Sequence, residues 1–241
     1  MMISVCMATY NGEKFIEEQL VSILTQLRDD DELIVSDDGS KDRTCDIVKN
    51  YPDKRIRLIH NKKYHGYTAN FYNALKLAKG DNIFLADQDD VWQENKVKVT
   101  MQYLSKYDFT VSDACEVDEK LQIITRSRFE KFNIKNGFWR NLVKSRYIGC
   151  CYAFNRKVLD SIFPVPTYQN DYPHDLWIAL IAERYFKTSL IKEPLILYRR
   201  HGSNTSNGGD ENEHKRSVCK KVLSRFRYYH YVNMHRRYIK K

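Results

Sequence analysis

The sequence has no long hydrophobic run, and no window approaches the roughly 18 consecutive apolar residues of a membrane-spanning helix. Its first segment, Ile3 to Ala8, is strand-like and lacks the basic-then-apolar order of a signal peptide. The six cysteines show no metal-type spacing, and the adjacent Cys150 and Cys151 are poorly placed for a disulfide. We therefore expect a cytoplasmic protein with reduced cysteines.

Glycine-rich phosphate-binding motifs are also missing. Neither the Gly-x-Gly-x-x-Gly pattern nor the Gly-x-x-x-x-Gly-Lys-Ser/Thr pattern occurs. With nine glycines and five prolines among 241 residues, the composition is that of an ordinary globular protein with one sizeable core. If a diphosphate binds here, a metal ion and basic side chains must hold it.

The last segment of the chain lacks acidic residues altogether. From His214 to Lys241 there are ten Lys or Arg and no Asp or Glu, whereas residues 1–213 carry 30 basic and 31 acidic side chains. A segment of this kind is attracted to anionic surfaces. From Lys215 onward the spacing predicts an amphipathic helix, whose aligned apolar residues are Val218, Val222, Phe226, Tyr229 and Val232.

What the sequence does contain is a regular alternation of strands and helices in its first hundred residues. This order predicts an α/β fold with a central, mostly parallel sheet and right-handed crossovers. After Asp108 the rhythm changes and the elements become less regular. The predicted strands are 3–8, 33–35, 56–59, 82–86, 109–112, 121–125, 147–154 and 195–198, and the predicted helices are 13–26, 42–50, 67–79, 94–106, 138–145, 156–163 and 175–186.

The most informative motif is a cluster of three carboxylates, Asp87, Asp89 and Asp90, directly after the apolar run Ile83 to Ala86. Parallel sheets bind ligands at the carboxyl ends of their strands, so these acids lie where such a sheet offers a site. Their mutual repulsion is relieved by a hard divalent cation such as Mg²⁺ or Mn²⁺, which also grips a diphosphate. The alternative is a solvated acidic turn.

A second acidic loop, Asp37-Asp38-Gly39-Ser40, follows the second predicted strand and should lie at the same edge of the sheet. Asp38 could accept a hydrogen bond from a ring N–H of uracil or thymine. It could equally cap the helix that follows or form an Asx turn. Tyr10-Asn11-Gly12 after the first strand is, by itself, only a turn.

Two further positions offer chemistry in the second half of the chain. Asp175 opens a predicted helix, where an Asp is by default an N-cap but can also act as a general base. His201 is either a surface imidazole or a metal ligand that completes the site of Asp89, and Arg199 could contact phosphate.

Together these residues resemble the inverting glycosyltransferases of family 2, which have the A-type nucleotide-sugar-dependent fold. The resemblance runs from Ile3 to about Ser206 and is specific because the motifs occur in this order on these elements. The Asp-Gln-Asp-Asp-Val-Trp variant is similar to bacterial polysaccharide rhamnosyl-, glucosyl- and galactosyltransferases. The motifs are Val5 to Glu13, Val35 to Ser40, Gly66 with Asn70, Gly80 to Trp92, His174 to Trp177, and Tyr198 to Asn204.

The resemblance implies a role for each matching position. Asp175 would be the catalytic base, and Asp89 with His201 would bind Mn²⁺ or Mg²⁺. Asp90 is left open between a supporting role and contact with the sugar. The residues that would bind the nucleotide sugar are Thr9, Tyr10, Asn11, Glu13, Asp38, Asn70, Asp87, Gln88 and Arg199.

The resemblance also implies a domain plan. Residues 1–206 would form the catalytic domain, with a nucleotide-sugar half (1–108) and an acceptor half (109–206), and residues 207–241 a mobile linker and basic tail. The enzyme would move a hexose or deoxyhexose from a UDP- or dTDP-sugar to a lipid-linked glycan in bacterial surface polysaccharide synthesis. The short segment between Cys151 and His174 leaves little room for an elaborate acceptor subdomain.

The basic tail suggests peripheral attachment to the inner face of the plasma membrane, with cations on anionic lipid and aromatic side chains in the interface. The alternative is a helix that packs on the core or on a partner. Two other functions stay open. A sugar nucleotidyltransferase shares this kind of sheet and metal site but usually has an N-terminal glycine-rich loop, and a nucleic-acid-binding module could stack its tail aromatics on bases. We expect no nucleic acid partner.

Overall fold

The computed structural model describes residues 1–62, 64–166, 173–202 and 218–240, with side chains in the last range from residue 222 onward. The strands are β1 (Ile3–Thr9), β2 (Glu32–Asp37), β3 (Ile56–His60), β4 (Asn82–Asp87), β5 (Val91–Trp92), β6 (Phe109–Val117), β7 (Ile123–Thr125), β8 (Tyr152–Asn155) and β9 (Thr188–Arg199). The helices are α1 (Ile16–Leu24), α2 (Thr44–Asn50), α3 (Tyr67–Leu75), α4 (Lys96–Leu104), α5 (Arg128–Phe132), α6 (Phe138–Lys144), α7 (Arg156–Ile162), α8 (His174–Tyr185) and α9 (Val218–Met234), with 3₁₀ turns at Gly149–Cys151 and His235–Tyr238.

All the described strands belong to one sheet, in the order β3-β2-β1-β4-β8-β6-β9-β5, with β7 added on β6. Strands β1 to β4 pair with one another in parallel, which confirms the α/β prediction for the first half. The second half is more mixed than expected, because β8 runs antiparallel to both β4 and β6. The pairing of β4 with β8 also carries the sheet across the predicted boundary at residue 108.

The register of the parallel strands decides where the acidic loops lie. Thr9 on β1 is opposite Asp37 on β2, and Ala8 is opposite Asp87 on β4. Both loops therefore leave the sheet at the same edge, as the sequence predicted. The strands stay in place because their side chains, such as Val5, form a fully buried core, where each large apolar side chain contributes about 1.5–3 kcal/mol.

The first helix shows how the sequence pattern produces this packing. Ile16, Leu20, Ile23 and Leu24 are buried at helical spacing and cover the sheet, while the acidic Glu17 and Glu18 lie in the first turn. That turn is the end of the helix where the dipole favours negative charge.

The C-terminal helix packs against the body of the protein rather than standing free. Val232 and Tyr228 are buried, and the hydroxyl of Tyr185 on α8 donates to the carbonyl oxygen of Val232 at 2.8 Å. His235 Nε2 lies 2.7 Å from the carbonyl oxygen of Ser161 on α7. Of the two alternatives left open for this segment, Val232 and Tyr228 follow the one in which the helix packs on the core, and the predicted membrane attachment remains a prediction. The predicted linker lies mostly outside the described residues.

Three elements were not predicted from the sequence: β5, α5 and the first half of β9. Strand β9 contains Pro194, and its pairing with β6 shifts register between Ser112 and Cys115, so its polar-apolar pattern is irregular. Across the described ranges, no helix combines the length and the apolar character needed to cross a bilayer. The five described cysteines are free, as expected, and are Cys6, Cys45, Cys115, Cys150 and Cys151.

Candidate active site

The acidic loop after β4 faces the end of β9. His201 Nε2 lies 2.8 Å from Asp89 Oδ2, so the structure brings together the two residues predicted as metal ligands. They are 112 residues apart in sequence. They meet because β9 pairs antiparallel with β5, the short strand that directly follows the loop. The His201 ring also contacts the ring of Phe15, with the two centroids 4.9 Å apart.

Arg199 holds this loop from within the protein. Its backbone N–H donates to Asp90 Oδ1 at 3.0 Å and its Nε to the carbonyl oxygen of Asp89 at 2.8 Å. Its guanidinium further bonds the carbonyl oxygen of Glu119 at 2.7 Å and forms an ion pair with Glu18. Only 2% of Arg199 is exposed, so its observed contacts hold the loop in position, and its predicted phosphate contact remains a prediction.

Asp90 lies beneath the loop and not at its open face. It is 1% exposed, and its Oδ2 is buried with no hydrogen-bond partner among the described residues. Burial, together with the charges of Asp89 and Asp87, raises the pKa of Asp90 well above its usual range. Of the two roles left open for Asp90, the structure favours support of the loop over contact with a sugar.

Asp87 completes a concentration of acidic oxygens. Burial and the neighbouring Asp89 carboxylate raise the pKa of Asp87, and Asp175 adds to the effect. Ligand atoms of Asp87, Asp90 and Cys150 all lie within 4.8 Å of one another. The two carboxyl groups of this cluster, one with a buried oxygen that lacks a partner among the described residues, are hard donors that suit a divalent cation, and Cys150 adds a sulfur beside them. The residues present therefore fit the metal that the sequence implied.

Asp175 lies in the first turn of α8, one residue inside the helix start. The N-cap position is taken by Pro173, so the default interpretation of Asp175 as an N-cap is not supported. Its Oδ1 accepts the backbone N–H of Leu176 at 2.7 Å. Burial raises the pKa of Asp175 to about 6, which suits a group that must accept a proton near neutral pH.

A glycine allows the base and the acidic loop to approach each other. A Cβ on Gly149 would lie 2.9 Å from His174 Nε2 and 3.4 Å from Asp175 Cβ. The next residue, Cys150, is the one that meets Asp87 and Asp90. The turn of Gly149 and Cys150 thus joins the candidate base to the candidate metal site, a link that no sequence signal had indicated.

Gln88 acts by holding the first loop in place. Its Oε1 accepts the backbone N–H of Tyr10 at 2.9 Å, and its Nε2 donates to the carbonyl oxygen of Tyr10 at 3.0 Å. The Gln88 amide also occupies the space above Gly12, where a Cβ would lie 2.2 Å from its Oε1. The Tyr10 side chain is left exposed at the site edge. The predicted nucleotide contacts of Tyr10 and Gln88 remain predictions.

Asn11 and Glu13 tie the first loop to the loop after β2. Asn11 has φ 49°, and its side-chain oxygen accepts the N–H of Lys41 at 2.8 Å. Glu13 Oε2 accepts the N–H of Arg43 at 2.8 Å. Left-handed backbone is tolerated by Asn, which explains the residue at this turn. Both side chains therefore shape the pocket that the sequence assigned to the nucleotide.

Asp38 faces the loop before α3. Its Oδ1 accepts from Asn61 Nδ2 at 2.9 Å and its Oδ2 from the N–H of Gly66 at 2.7 Å. His65 Nδ1 lies 3.1 Å from Oδ1. The Asx turn considered for Asp38 is made instead by Asp37, whose Oδ1 accepts the N–H of Gly39. Both Asp38 oxygens thus accept hydrogen bonds from the segment before α3, and the contact of Asp38 with a nucleotide base remains a prediction.

Thr9 and Asn70 lie behind the pocket. Thr9 Oγ1 is 3.3 Å from Asp37 Oδ2, and Asn70 Nδ2 donates to the carbonyl oxygen of Thr9 at 3.1 Å. Asn70 Oδ1 accepts from Ser36 Oγ at 2.6 Å. Both side chains are buried, so they hold the ends of β1 and β2 together, and their direct nucleotide contact remains a prediction.

The geometry defines an α/β protein with an A-type glycosyltransferase fold whose strand ends carry a cluster of acidic side chains. The family description "Glycosyl transferase family 2" matches residues 4–163, which is most of the sheet. The chain belongs to this family and is a glycosyltransferase. The resemblance inferred from the sequence is confirmed.

Two curated relatives illustrate the match. The dTDP-rhamnosyl transferase RfbG of Shigella flexneri is 30% identical over 221 residues, covering 82% of this chain and 72% of the relative. The UDP-Glc:alpha-D-GlcNAc-diphosphoundecaprenol beta-1,3-glucosyltransferase WfgD of Escherichia coli is 29% identical over 185 residues, covering 76% of this chain and 70% of the relative.

Solved structures share the fold. S. aureus TarS 1-349, in complex with UDP-GlcNAc, has a TM-score of 0.72 at 17% identity and covers 98% of this chain and 66% of that chain. The mannosyltransferase PcManGT from Pyrobaculum calidifontis, in complex with GDP-Man and Mn²⁺, has a TM-score of 0.57 at 21% identity, covering 82% of this chain and 56% of that one. The chain thus spans less than two thirds of these structures.

Proposed function

We propose that this protein is an inverting, metal-dependent hexosyltransferase that uses a UDP- or dTDP-sugar. The observation that carries the proposal is the contact of Asp89 with His201 at the strand-end edge, next to the buried carboxyl groups of Asp87 and Asp90. Such an edge suits a donor that brings its own negative charge together with a cation.

Asp89 and His201 would hold Mn²⁺ or Mg²⁺, and the acidic oxygen of Asp87 would face it. When bound, a divalent cation offsets the charge that develops on the departing diphosphate. The Arg199 guanidinium, buried against Glu18, fixes the backbone of Asp89 so that its carboxylate and His201 stay aligned.

Asp175 would take the proton of the acceptor hydroxyl as that oxygen attacks the anomeric carbon. The attack comes from the face opposite the nucleoside diphosphate, so the bond to the diphosphate breaks as the new bond forms and the configuration inverts. A carboxyl group whose pKa is raised to about 6 is ionised at neutral pH and basic enough to accept the proton.

The donor base would lie against the loops after β1 and β2. Asp38 would accept the ring N–H of uracil or thymine, and the two hydrogen bonds of Gln88 hold the Tyr10 backbone in the loop after β1. Both UDP and dTDP carry this N–H, so the proposal includes both. The relatives named for dTDP-rhamnose and UDP-Glc transfer support the same two classes.

The acceptor is proposed to be a lipid-linked glycan of bacterial surface polysaccharide synthesis, reached at the inner face of the plasma membrane. The relative WfgD, by its name, acts on a diphosphoundecaprenol-linked sugar, which supports this class of acceptor. The acid-free segment of residues 214–241 is proposed to provide attraction to anionic lipid.

The test is a screen of UDP- and dTDP-sugars for release of nucleoside diphosphate, with and without Mn²⁺ or Mg²⁺. We expect release from at least one donor that depends on metal and is abolished by EDTA. Equal release in EDTA would contradict the metal assignment. Turnover that requires pyrophosphate instead of releasing a nucleoside diphosphate would indicate a nucleotidyltransferase.

A further inference from the structure

Helices α6 and α9 lie side by side on the outside of the protein. The ring of Tyr229 on α9 stacks on the ring of Trp139 on α6, with centroids 5.5 Å apart at an interplanar angle of 23°. Arg225 Nε donates to the carbonyl oxygen of Val143 at 3.1 Å. Two segments that are about eighty residues apart in sequence therefore form one continuous surface.

This surface, called here the α6–α9 face, exposes large apolar side chains. Trp139 and Val143 are one turn apart on α6, and Val222 and Phe226 are one turn apart on α9, beside the residues that contact α6. Soluble proteins rarely leave such neighbouring side chains in water without a use for them. The apolar residues of the face are Trp139, Val143, Val222, Leu223 and Phe226, which are 53% to 69% exposed.

The charge around these side chains has one sign. Residues 131–147 contain five Lys or Arg and no acid, and residues 222–240 contain another five and no acid. Outside these two segments the chain is close to neutral, since it holds 30 basic and 31 acidic side chains. The packing of α9 on α6 thus joins two acid-free segments that are separate in the sequence.

A groove opens beside α6 within this cationic region. It has a volume of about 460 Å³ and is lined by Phe132, Asn133, Ile134, Trp139, Val143 and Tyr147, with four cations at its walls, Lys135, Arg140, Lys144 and Arg146. Among the described residues, no acidic side chain lines it. A pocket with cations above an apolar floor suits a phosphate head that is attached to a hydrocarbon.

We propose that the α6–α9 face is a docking surface for a bilayer of anionic phospholipid. The exposed aromatic and aliphatic side chains enter the interface, and the groove cations bind lipid phosphates. The inference deepens the proposed use of a lipid-linked acceptor and rests on it for its purpose, but the binding itself does not depend on transfer. It replaces the sequence-based picture of a tail acting alone, because half of the surface comes from α6.

The face is joined to the candidate base by a short chain of contacts. Tyr147 lines the groove, and its ring meets that of Tyr152 with centroids 6.3 Å apart. The hydroxyl of Tyr152 donates to the carbonyl oxygen of Asp175 at 3.3 Å. Docking through this face would therefore bring the acceptor half of the site close to the membrane.

The test measures binding of the full chain to vesicles of phosphatidylglycerol and phosphatidylcholine in equal parts, against phosphatidylcholine alone. We expect salt-sensitive binding to the anionic vesicles only. Lys135→Gln with Lys144→Gln should weaken it about 25-fold, since each cation near an anionic surface contributes on the order of 1 kcal/mol. Val143→Ser with Phe226→Ser should weaken it about tenfold or more.

Matched variants elsewhere provide the controls. Lys49→Gln with Lys54→Gln removes two exposed cations, and Ile123→Ser with Ile124→Ser removes two exposed apolar residues on β7. Both should bind vesicles as the wild type does. Equal weakening by controls and face variants, or equal binding to neutral vesicles, overturns the proposal.

Two further readouts separate the other outcomes. If sedimentation velocity shows a dimer that Val143→Ser with Phe226→Ser dissociates, while vesicle binding is absent, the face is an interface between copies and the proposal fails. Release of nucleoside diphosphate with a soluble acceptor is measured on the same preparations. If the wild-type chain releases nucleoside diphosphate but does not bind vesicles, only the docking surface is rejected. If it binds vesicles but turns over no donor, only the proposed function is rejected.

Discussion

The loop after β2 and the loop after β4 leave the sheet at the same edge and in register, and each begins at an aspartate that ends its strand. Asp37 in the first loop accepts the N–H groups of Gly39 and Ser40, both at 3.0 Å, and also the Ser40 hydroxyl. Although burial acts to raise it, these hydrogen bonds hold the pKa of Asp37 below its usual range.

The second loop has the opposite electrostatics. The pKa values of Asp87 and Asp90 are raised by burial and by neighbouring carboxylates, and one oxygen of Asp90 has no partner within the described residues. Asp37 is thus satisfied within its own loop, whereas the loop that begins at Asp87 keeps one buried Asp90 oxygen without a partner among the described residues. The difference indicates that the first loop is a turn held by its own hydrogen bonds, whereas the second loop is suited to bind a cation.

The largest effect is expected from Asp175→Asn. Asp175 adds to the negative charge around Asp87 and is the candidate base. Turnover should fall by about 10²- to 10⁴-fold while donor affinity is kept. In the wild type, kcat/KM should rise with pH until the carboxyl is ionised, at about pH 6, and then level off. Near-normal turnover in Asp175→Asn would remove this assignment.

Asp89→Asn should come next and test the second loop directly. We expect a loss of turnover of at least about 10²-fold through the missing charge stabilisation, with little change in Tm. Asp46→Asn, an exposed acid on α2, is the matched control and should be neutral. A variant Asp89→Asn that retains metal-dependent turnover would break the comparison.

Asp37→Ala should have the opposite pattern to Asp89→Asn: it should lower the stability of the fold and leave turnover largely unchanged. Removing the acceptor of two backbone N–H groups and a hydroxyl should lower the free energy of unfolding by about 1–3 kcal/mol. Turnover per folded molecule should change much less than in Asp89→Asn. Denaturant unfolding and active-site titration measure the two quantities. If Asp37→Ala were fully stable, the claim that the first loop is held by these bonds would fail.

The smallest expected effect is a pH-dependent change in the Tm of the metal-free protein. A carboxyl whose pKa is raised on folding keeps its proton in the folded state at pH values where the unfolded state has lost it, so its contribution to stability falls as pH rises. We therefore expect Asp90→Asn to raise Tm relative to the wild type more at about pH 8 than at about pH 5. Asp37, whose pKa is lowered, contributes stability that is lost only as strongly acidic pH protonates it.

The fold was predictable where local pattern decides it. The parallel strands β1 to β4 follow from buried apolar runs alternating with helical periodicity, and both acidic loops were placed at one edge correctly. Strand β9 was underpredicted because its pairing with β6 depends on a distant partner and on register shifts, which leave no periodic signal. The apolar side of α9, including Val232, was visible in the sequence, but the choice between packing on the core and contact with a membrane was not, because it depends on tertiary contact.

The sequence predicted which residues form the site better than it predicted what each of them does. Asp89, His201 and Asp175 were named from motif and position, and the structure brings the first two into contact. Arg199 was assigned to phosphate because a cation after a strand suggests it, but its burial against Glu18 depends on packing. Gly149 gave no signal, because a close backbone approach is visible only in three dimensions.

The most direct test of the difference between the two loops is a crystal structure of the protein soaked with Mn²⁺ and UDP. The account predicts anomalous density for manganese at Asp89 and His201, with the UDP diphosphate on the ion and the uracil beside Asp38. Nucleotide bound elsewhere, with the Asp87 and Asp89 carboxylates turned to solvent and no metal between them, would contradict it.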